Sequence, residues 1–223
     1  MRQLTLPLDL GTEASFDNFL PGGNAQALAH LRSLVMPAAP VYLWGPAGCG
    51  KSHLLQALVR AVRLAGGQAA AYGASRPTPW PLPHERALAV IDDCQALDPA
   101  AQQAAFQLFI DAAGQGAQIV AAGRVPPVDL PLREDLRTRL GWGHVFALMP
   151  LADAEVRAAL RQEFDRRGIF LPDDLMSFLQ TRFERDLGHL VPLLNRLDDY
   201  ALAHKRAVTL PLLRQMLTQE GSP

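Results

Sequence analysis

The chain has 223 residues, 49% hydrophobic and 19% charged, a composition of folded globular proteins that excludes disordered or collagen-like chains. Lys and Arg number 21 against 22 Asp and Glu, so the net charge is −1 and there is no bulk positive field to hold nucleic acid non-specifically. Any DNA contact is expected to be local or to run through a partner. Two cysteines, Cys49 and Cys94, cannot make a disulfide framework or a four-cysteine zinc site, which points to a reducing compartment, the cytoplasm. The first apolar stretch is broken by Pro7 and Asp9, and 18 apolar residues never run together, so neither a signal peptide nor a membrane span is expected. Only two of the 21 basic residues are lysines, Lys51 and Lys205.

Residues 1–15 mix leucine with Pro, Asp, Gly and Thr without a period and read as an extended arm. Pro21-Gly22-Gly23 is a turn, after which Asn24 is expected to cap an amphipathic helix with Leu28, Leu31, Leu34 and Val35 on one face. The apolar run Val41 to Trp44 leads through a glycine-rich loop into a helical pattern with Leu54, Leu55, Leu58 and Val62. Gln68 to Tyr72 reads as a short strand, and prolines 77, 79, 81 and 83 make the next segment a surface loop. A buried strand, Ala87 to Ile91, ends in Asp92-Asp93. Asp98 then caps a helix opened by Pro99, with Phe106, Phe109 and Ile110 on its apolar side. Gln118 to Ala122 is a strand running into Gly123-Arg124-Val125-Pro126-Pro127, and Val145 to Leu148 is the last candidate strand.

Beyond Pro150 only helical segments are expected: Glu155 to Arg167, Asp173 to Phe183, Asp186 to His204 and Leu210 to Leu217. The short basic pairs Arg166-Arg167 and Lys205-Arg206 read as solvated faces. Strands alternating with helices imply an α/β domain with a mostly parallel sheet, followed by a small all-α domain. The expected divisions are an arm over 1–15, an α/β base over 16–150 and a helical domain over 151–223.

Gly45-Pro46-Ala47-Gly48-Cys49-Gly50-Lys51-Ser52 matches G-x-x-x-x-G-K-[ST], and it lies between a buried strand and a helix start. In such a loop backbone N–H groups curl around phosphate oxygens, Lys51 reaches the outer phosphates and Ser52 offers a hydroxyl to Mg²⁺. His53 directly follows and is counted with the nucleotide-binding residues. It and the other histidines lack metal-ligand spacing. Asp92, at a strand end, can hold the Mg²⁺ ion opposite Ser52, and Asp93 could orient or deprotonate an attacking water.

The order of these elements resembles an AAA+ ATPase, an α/β base followed by a helical lid, and within that class the DnaA family with its shorter Hda-type regulatory inactivators. Phe16-Asp17-Asn18-Phe19-Leu20-Pro21-Gly22-Gly23-Asn24 is similar to the F-x-x-F-x-x-G box of those proteins, and Leu136 to Gly143 to their L-x-S-R-L/F-x-W-G box. Glu184-Arg185-Asp186-Leu187 is similar to the R-E-L segment that opens a lid helix. The resemblance implies ATP or ADP with Mg²⁺ as cofactor, an adenine wall of Phe19, Leu20 and Pro21, a lid arginine at Arg185 that touches the phosphates, and an arginine finger at Arg139. A guanidinium in that role stabilises charge spread over the transferring phosphoryl oxygens.

Gln3-Leu4-Thr5-Leu6-Pro7-Leu8 resembles the short motif through which bacterial proteins bind the DNA polymerase sliding clamp. An extended segment can seat Leu4, Leu6 and Leu8 in an apolar pocket while Gln3 bonds at the rim and Pro7 limits the ordering entropy. One departure stands out: Arg124-Val125 occupies the place where relatives carry an Asp-Arg pair, which weakens the expectation of efficient hydrolysis by the chain itself. Together these features imply a regulator of replication initiation. It would bind adenine nucleotide and the clamp, meet DNA through the clamp, and promote hydrolysis of DnaA-bound ATP through Arg139 acting in trans. The alternative is a self-sufficient AAA+ ATPase, such as a helicase loader or remodelling factor. Self-association is left open. A DNA-reading helix-turn-helix module is not expected, because the sequence stops at Pro223, where the lid should end.

Overall fold

The structure, a computed structural model, describes residues 13–183 and 187–220. Residues 13–150 form one compact unit, and the described residues from Leu151 onward form another.

In the first unit β1 (Val41–Trp44), β2 (Ala69–Tyr72), β3 (Leu88–Ile91), β4 (Gln118–Gly123) and β5 (His144–Ala147) make a five-stranded parallel sheet in the order β2-β3-β4-β1-β5. The inner strands are apolar on both faces because helices cover both, which is why they read as unbroken hydrophobic runs. On one face Leu28 and Leu31 of α1 (Ala25–Arg32) and Leu54, Leu55, Leu58 and Val62 of α2 (Lys51–Leu64) share a core with Val41, Leu43, Leu88, Val90 and Val120. On the other, Leu108 and Phe109 of α3 (Pro99–Gln115) and Leu136 and Leu140 of α4 (Glu134–Gly141) pack on Tyr42, Ala89, Ile91, Ile119 and Ala121. Alternate strand residues thus serve opposite cores. The Asp98 carboxylate accepts from Ala101 N at 2.7 Å with Pro99 in the first turn, as the sequence predicts.

Several expectations need correction. Val35 lies beyond the end of α1 and is 82% exposed. Asn24 makes no side-chain cap: it is buried, and its amide accepts from Met149 N and donates to Met149 O, both at 2.8 Å, tying the start of α1 to the chain after β5. On α3 the buried stripe runs through Ala101, Ala105, Leu108 and Ala112, so Ile110 faces solvent, and Phe106 is only half-buried. The proline-rich loop is held by a buried residue, since Trp80 stacks on Tyr72 at 5.1 Å. Strand ends shift by one residue from the expected bounds, and β5 begins at His144.

The second unit contains α5 (Asp153–Arg166), α6 (Asp173–Arg182), α7 (Leu187–His204) and α8 (Leu210–Glu220). Its core is built from Leu160, Phe164, Leu175, Leu179, Leu194 and Leu213, which recur at helical spacing. Arg166 and Arg167 are not simply a solvated face. The wholly buried carboxylate of Glu163 accepts from Arg167 Nε at 2.8 Å and from Arg166 at 3.3 Å, and Arg167 also reaches Asn195 of α7 at 2.9 Å. No helix among the described residues is long and apolar enough to cross a membrane.

Candidate nucleotide site and arginine helix

Parallel pairing brings the carboxyl ends of β1, β4 and β3 side by side, with Trp44 opposite Gly123 and Ala121 opposite Ile91. Ligands of open α/β sheets bind outside such strand ends. The segment Gly45 to Gly50 turns from β1 into α2, whose first residue is Lys51. At Gly50 the backbone has φ +93°, and a Cβ there would meet the Phe19 ring at 2.6 Å, so only glycine lets Phe19 close on the loop.

Lys51 is buried, 7% exposed. Its ammonium donates to the carbonyls of Gly45 at 2.8 Å and Pro46 at 2.7 Å and contacts Cys49 Sγ at 3.6 Å, and among the described residues no carboxylate pairs with it. A buried cation without a counter-charge is costly, and an anion cradled by the loop N–H groups would supply one. Ser52 and Asp92 both line a cavity of about 650 Å³ beside α2, with Val59, Arg60, Arg63, Tyr72 and Val90; Lys51 and the glycine loop do not line it. No group of three or more His, Cys, Asp or Glu suited to a metal occurs among the described residues.

Phe19 is buried, Leu20 half-buried and Pro21 exposed. His53 directs Nε2 to Ser15 O at 2.9 Å and sits 5.5 Å from Phe19, which requires the proton on Nε2. Burial lowers its pKa from the ordinary value, partly offset by that carbonyl. The ring thus braces the segment before α1 against α2. Asp93 is exposed with φ 51°, its N–H donates to Asp92 Oδ1 at 2.9 Å, and its carboxylate accepts from Gln95 at 2.9 Å. The thiol of Cys94 is wholly buried and pushed up to about 12, chiefly by burial, so it takes no part as a nucleophile.

Arg139 lies on α4, half-buried, its guanidinium 5.5 Å over the Phe106 ring and without a carboxylate partner among the described residues. The neighbouring Asp135 is taken by Arg133 at 2.6 Å. Arg137 instead donates to Val128 O at 3.0 Å, fixing α4 to the turn before it. Trp142, three residues after Arg139, is 78% exposed. Arg185 and the arm residues Gln3, Leu4, Leu6, Pro7 and Leu8 lie outside the described residues. Sequence reasoning missed Gln95 and Tyr42 and gave Asn24 the wrong partner. Their roles are hydrogen bonds between distant segments, and only for Gln95, two residues past the Asp pair, was there a positional hint.

The family model described as "Hda, lid domain" matches residues 153–217. Among solved structures, domain III of the replication initiation protein DnaA from Thermotoga maritima is similar with TM-score 0.73 and 20% identity, over 96% of this chain and 99% of that one. AMPPCP-bound DnaA from Aquifex aeolicus matches with TM-score 0.64 and 19% identity, over 83% and 66%. The RuvB Holliday junction branch migration motor of Thermotoga maritima matches with TM-score 0.64 and 16% identity, over 94% and 72%. Likeness at such identities speaks to the fold, which is the α/β AAA+ fold. The lid match covers residues 153–217, and the fold over nearly the whole chain is like that of DnaA domain III.

Proposed function

We propose that the chain is a nucleotide-dependent regulator of DnaA. The observation that carries the nucleotide half is Lys51, a buried cation with no carboxylate partner among the described residues, set at a loop of backbone donors. Lys51 and the loop N–H groups would hold the phosphates of ATP or ADP, and Ser52 and Asp92 the hydrated Mg²⁺ ion. Bound nucleotide supplies the negative charge that this cation lacks. The AMPPCP carried by the Aquifex aeolicus DnaA structure supports the same ligand class here.

Arg139 supports the regulatory half. A guanidinium held on an aromatic face, with no carboxylate partner among the described residues, is pre-oriented for an anion outside its own unit. In this reading it completes the site of DnaA-bound ATP, while residues 3–8 dock on the sliding clamp and bring the chain to DNA. A second reading, a self-sufficient ATPase, is favoured by the oriented Asp93 carboxylate and by the fold shared with the RuvB motor. One assay separates them: ATP hydrolysis by DnaA with this chain, clamp and DNA, each omitted in turn. The regulator stimulates only when all are present and is nearly idle alone. Sustained turnover by the chain without DnaA supports the second reading.

A further inference from the structure

We propose that Gln95 is a positioning residue of the nucleotide site, joining the Asp93 carboxylate to the loop that leaves β4 so that both answer to the outermost phosphate as one body. The inference rests on the nucleotide reading above. Its basis is one planar amide used at both ends: Gln95 Nε2 donates to Asp93 Oδ1 at 2.9 Å, and Gln95 Oε1 accepts from Arg124 N at 2.9 Å.

Both ends of this bridge are held from elsewhere. Asp93 has a left-handed backbone, φ 51°, secured by its N–H on Asp92 Oδ1 at 2.9 Å and by Ala96 N on its carbonyl at 2.8 Å. The β4 loop is pinned by Gly45 N on Gly123 O at 3.3 Å and by the buried Tyr42 hydroxyl, which donates to Val125 O at 3.0 Å. A Cβ on Gly123 would collide with the Tyr42 hydroxyl and stand 3.3 Å from Gln95 Oε1, so the approach of these three groups needs glycine there. The phosphate loop, the β4 loop and the acid after β3 are therefore linked in series by hydrogen bonds. The bridge is not needed to hold the sheet, because β3 and β4 already pair from Leu88 with Gln118 to Ile91 with Ala121.

The strand order gives the bridge its direction. Phosphates held after β1 extend past Gly45 toward the ends of β4 and β3, where a carboxylate and phosphate oxygens would repel. The Gln95 N–H holds the Asp93 carboxylate in one orientation, and the same amide fixes the backbone of Arg124, an exposed cation without an ion pair among the described residues. On the nucleotide reading, the third phosphate of a triphosphate would lie toward this pair, and a diphosphate lacks it.

The test is calorimetric titration of the full chain with Mg-AMPPCP and Mg-ADP. Gln95→Leu is expected to lower AMPPCP affinity about tenfold and to keep ADP within about twofold, the size of a charge-assisted hydrogen bond lost on one ligand only. Gln95→Glu keeps an acceptor for Arg124 N but sets a second carboxylate against Asp93, and should lose at least as much. In the double variant Asp93→Asn, Gln95→Glu the donor and acceptor are exchanged, and AMPPCP affinity should recover relative to Gln95→Glu. Equal losses for both nucleotides, no loss, no recovery in the double variant, or unfolding of Gln95→Leu in a thermal melt each overturn the proposal. If the wild-type chain binds neither nucleotide, the site itself is wrong and the proposal falls with it. An unchanged AMPPCP to ADP ratio in the variants, with wild-type binding intact, overturns Gln95 alone.

Discussion

Lys51 shows at residue scale how a functional group is held against its own stability. Its ammonium is buried on two loop carbonyls with no carboxylate partner among the described residues, so Lys51→Ala should abolish Mg-nucleotide binding in calorimetry while the melting point of the free chain holds or rises. Arg139 and Arg137, two residues apart, do different work. Arg139→Ala should leave fold and nucleotide affinity intact and remove stimulation of DnaA ATP hydrolysis. Arg137→Ala breaks the bond to Val128 O and should cost about 1 kcal/mol in a denaturant titration. Stimulation that survives Arg139→Ala would remove the trans mechanism. His30, whose ring lies 4.5 Å from that of His144, sets a pH response. Burial first, then the neighbouring His144, lowers the His30 pKa, and burial lowers that of His53. The unfolded chain takes up protons near the ordinary value of about 6.5 before the folded chain does. Stability is therefore full above neutrality and falls as pH drops through about 6.5 toward the depressed folded values. His30→Phe should flatten that slope in melts between about pH 7.5 and 5.5.

Elements are positioned by bonds that the periodic pattern does not contain. On α5 the buried Glu163 carboxylate is enclosed by Arg166 and Arg167, and Arg167 carries the link to Asn195 on α7. Removing either partner is not symmetric. Arg167→Ala leaves the buried carboxylate only the longer 3.3 Å contact of Arg166 and should cost about 3 kcal/mol, whereas Glu163→Gln keeps a polar acceptor beside arginines that can turn to solvent, and should cost about 1 to 2 kcal/mol. Hydrogen exchange of the α5 and α7 amides is the measurement, since it reports this unit by itself. Equal losses in the two variants would contradict the asymmetry. Carbonyls on the outer side of β2 are met by arginines, Ala69 O by Arg63 at 2.9 Å and Ala71 O by Arg76 at 3.1 Å. That blunts an edge otherwise open to pairing with another chain.

For the whole molecule, the two units have separate cores, so a change confined to one should leave the other folded. Residues 3–8 are proposed as the clamp ligand. Replacing Gln3, Leu4 and Leu6 by alanine should remove co-elution with the clamp and keep both the melting point and nucleotide affinity. A variant that still co-elutes places the contact elsewhere. One that unfolds makes the arm structural.

Sequence alone determined what depends on local order. The strand-loop-helix at Val41 to Leu64, the acids after β3, the cap at Asp98 and the four helices after Pro150 all follow from short-range periodicity and from residues few in number and special in geometry. Tertiary structure decided what depends on partners far along the chain. Asn24 reads as a helix cap but bonds to Met149, 125 positions away. Arg167 reads as a solvated charge but encloses a buried carboxylate. Phe106 reads as core but becomes the platform under Arg133 and Arg139. Gln95 carries no signal of its own until β3 and β4 pair and set its amide between Asp93 and Arg124. A hydrogen bond or a ring contact needs two groups within a few ångströms, and for groups distant in sequence only the folded sheet and its covering helices bring them that close.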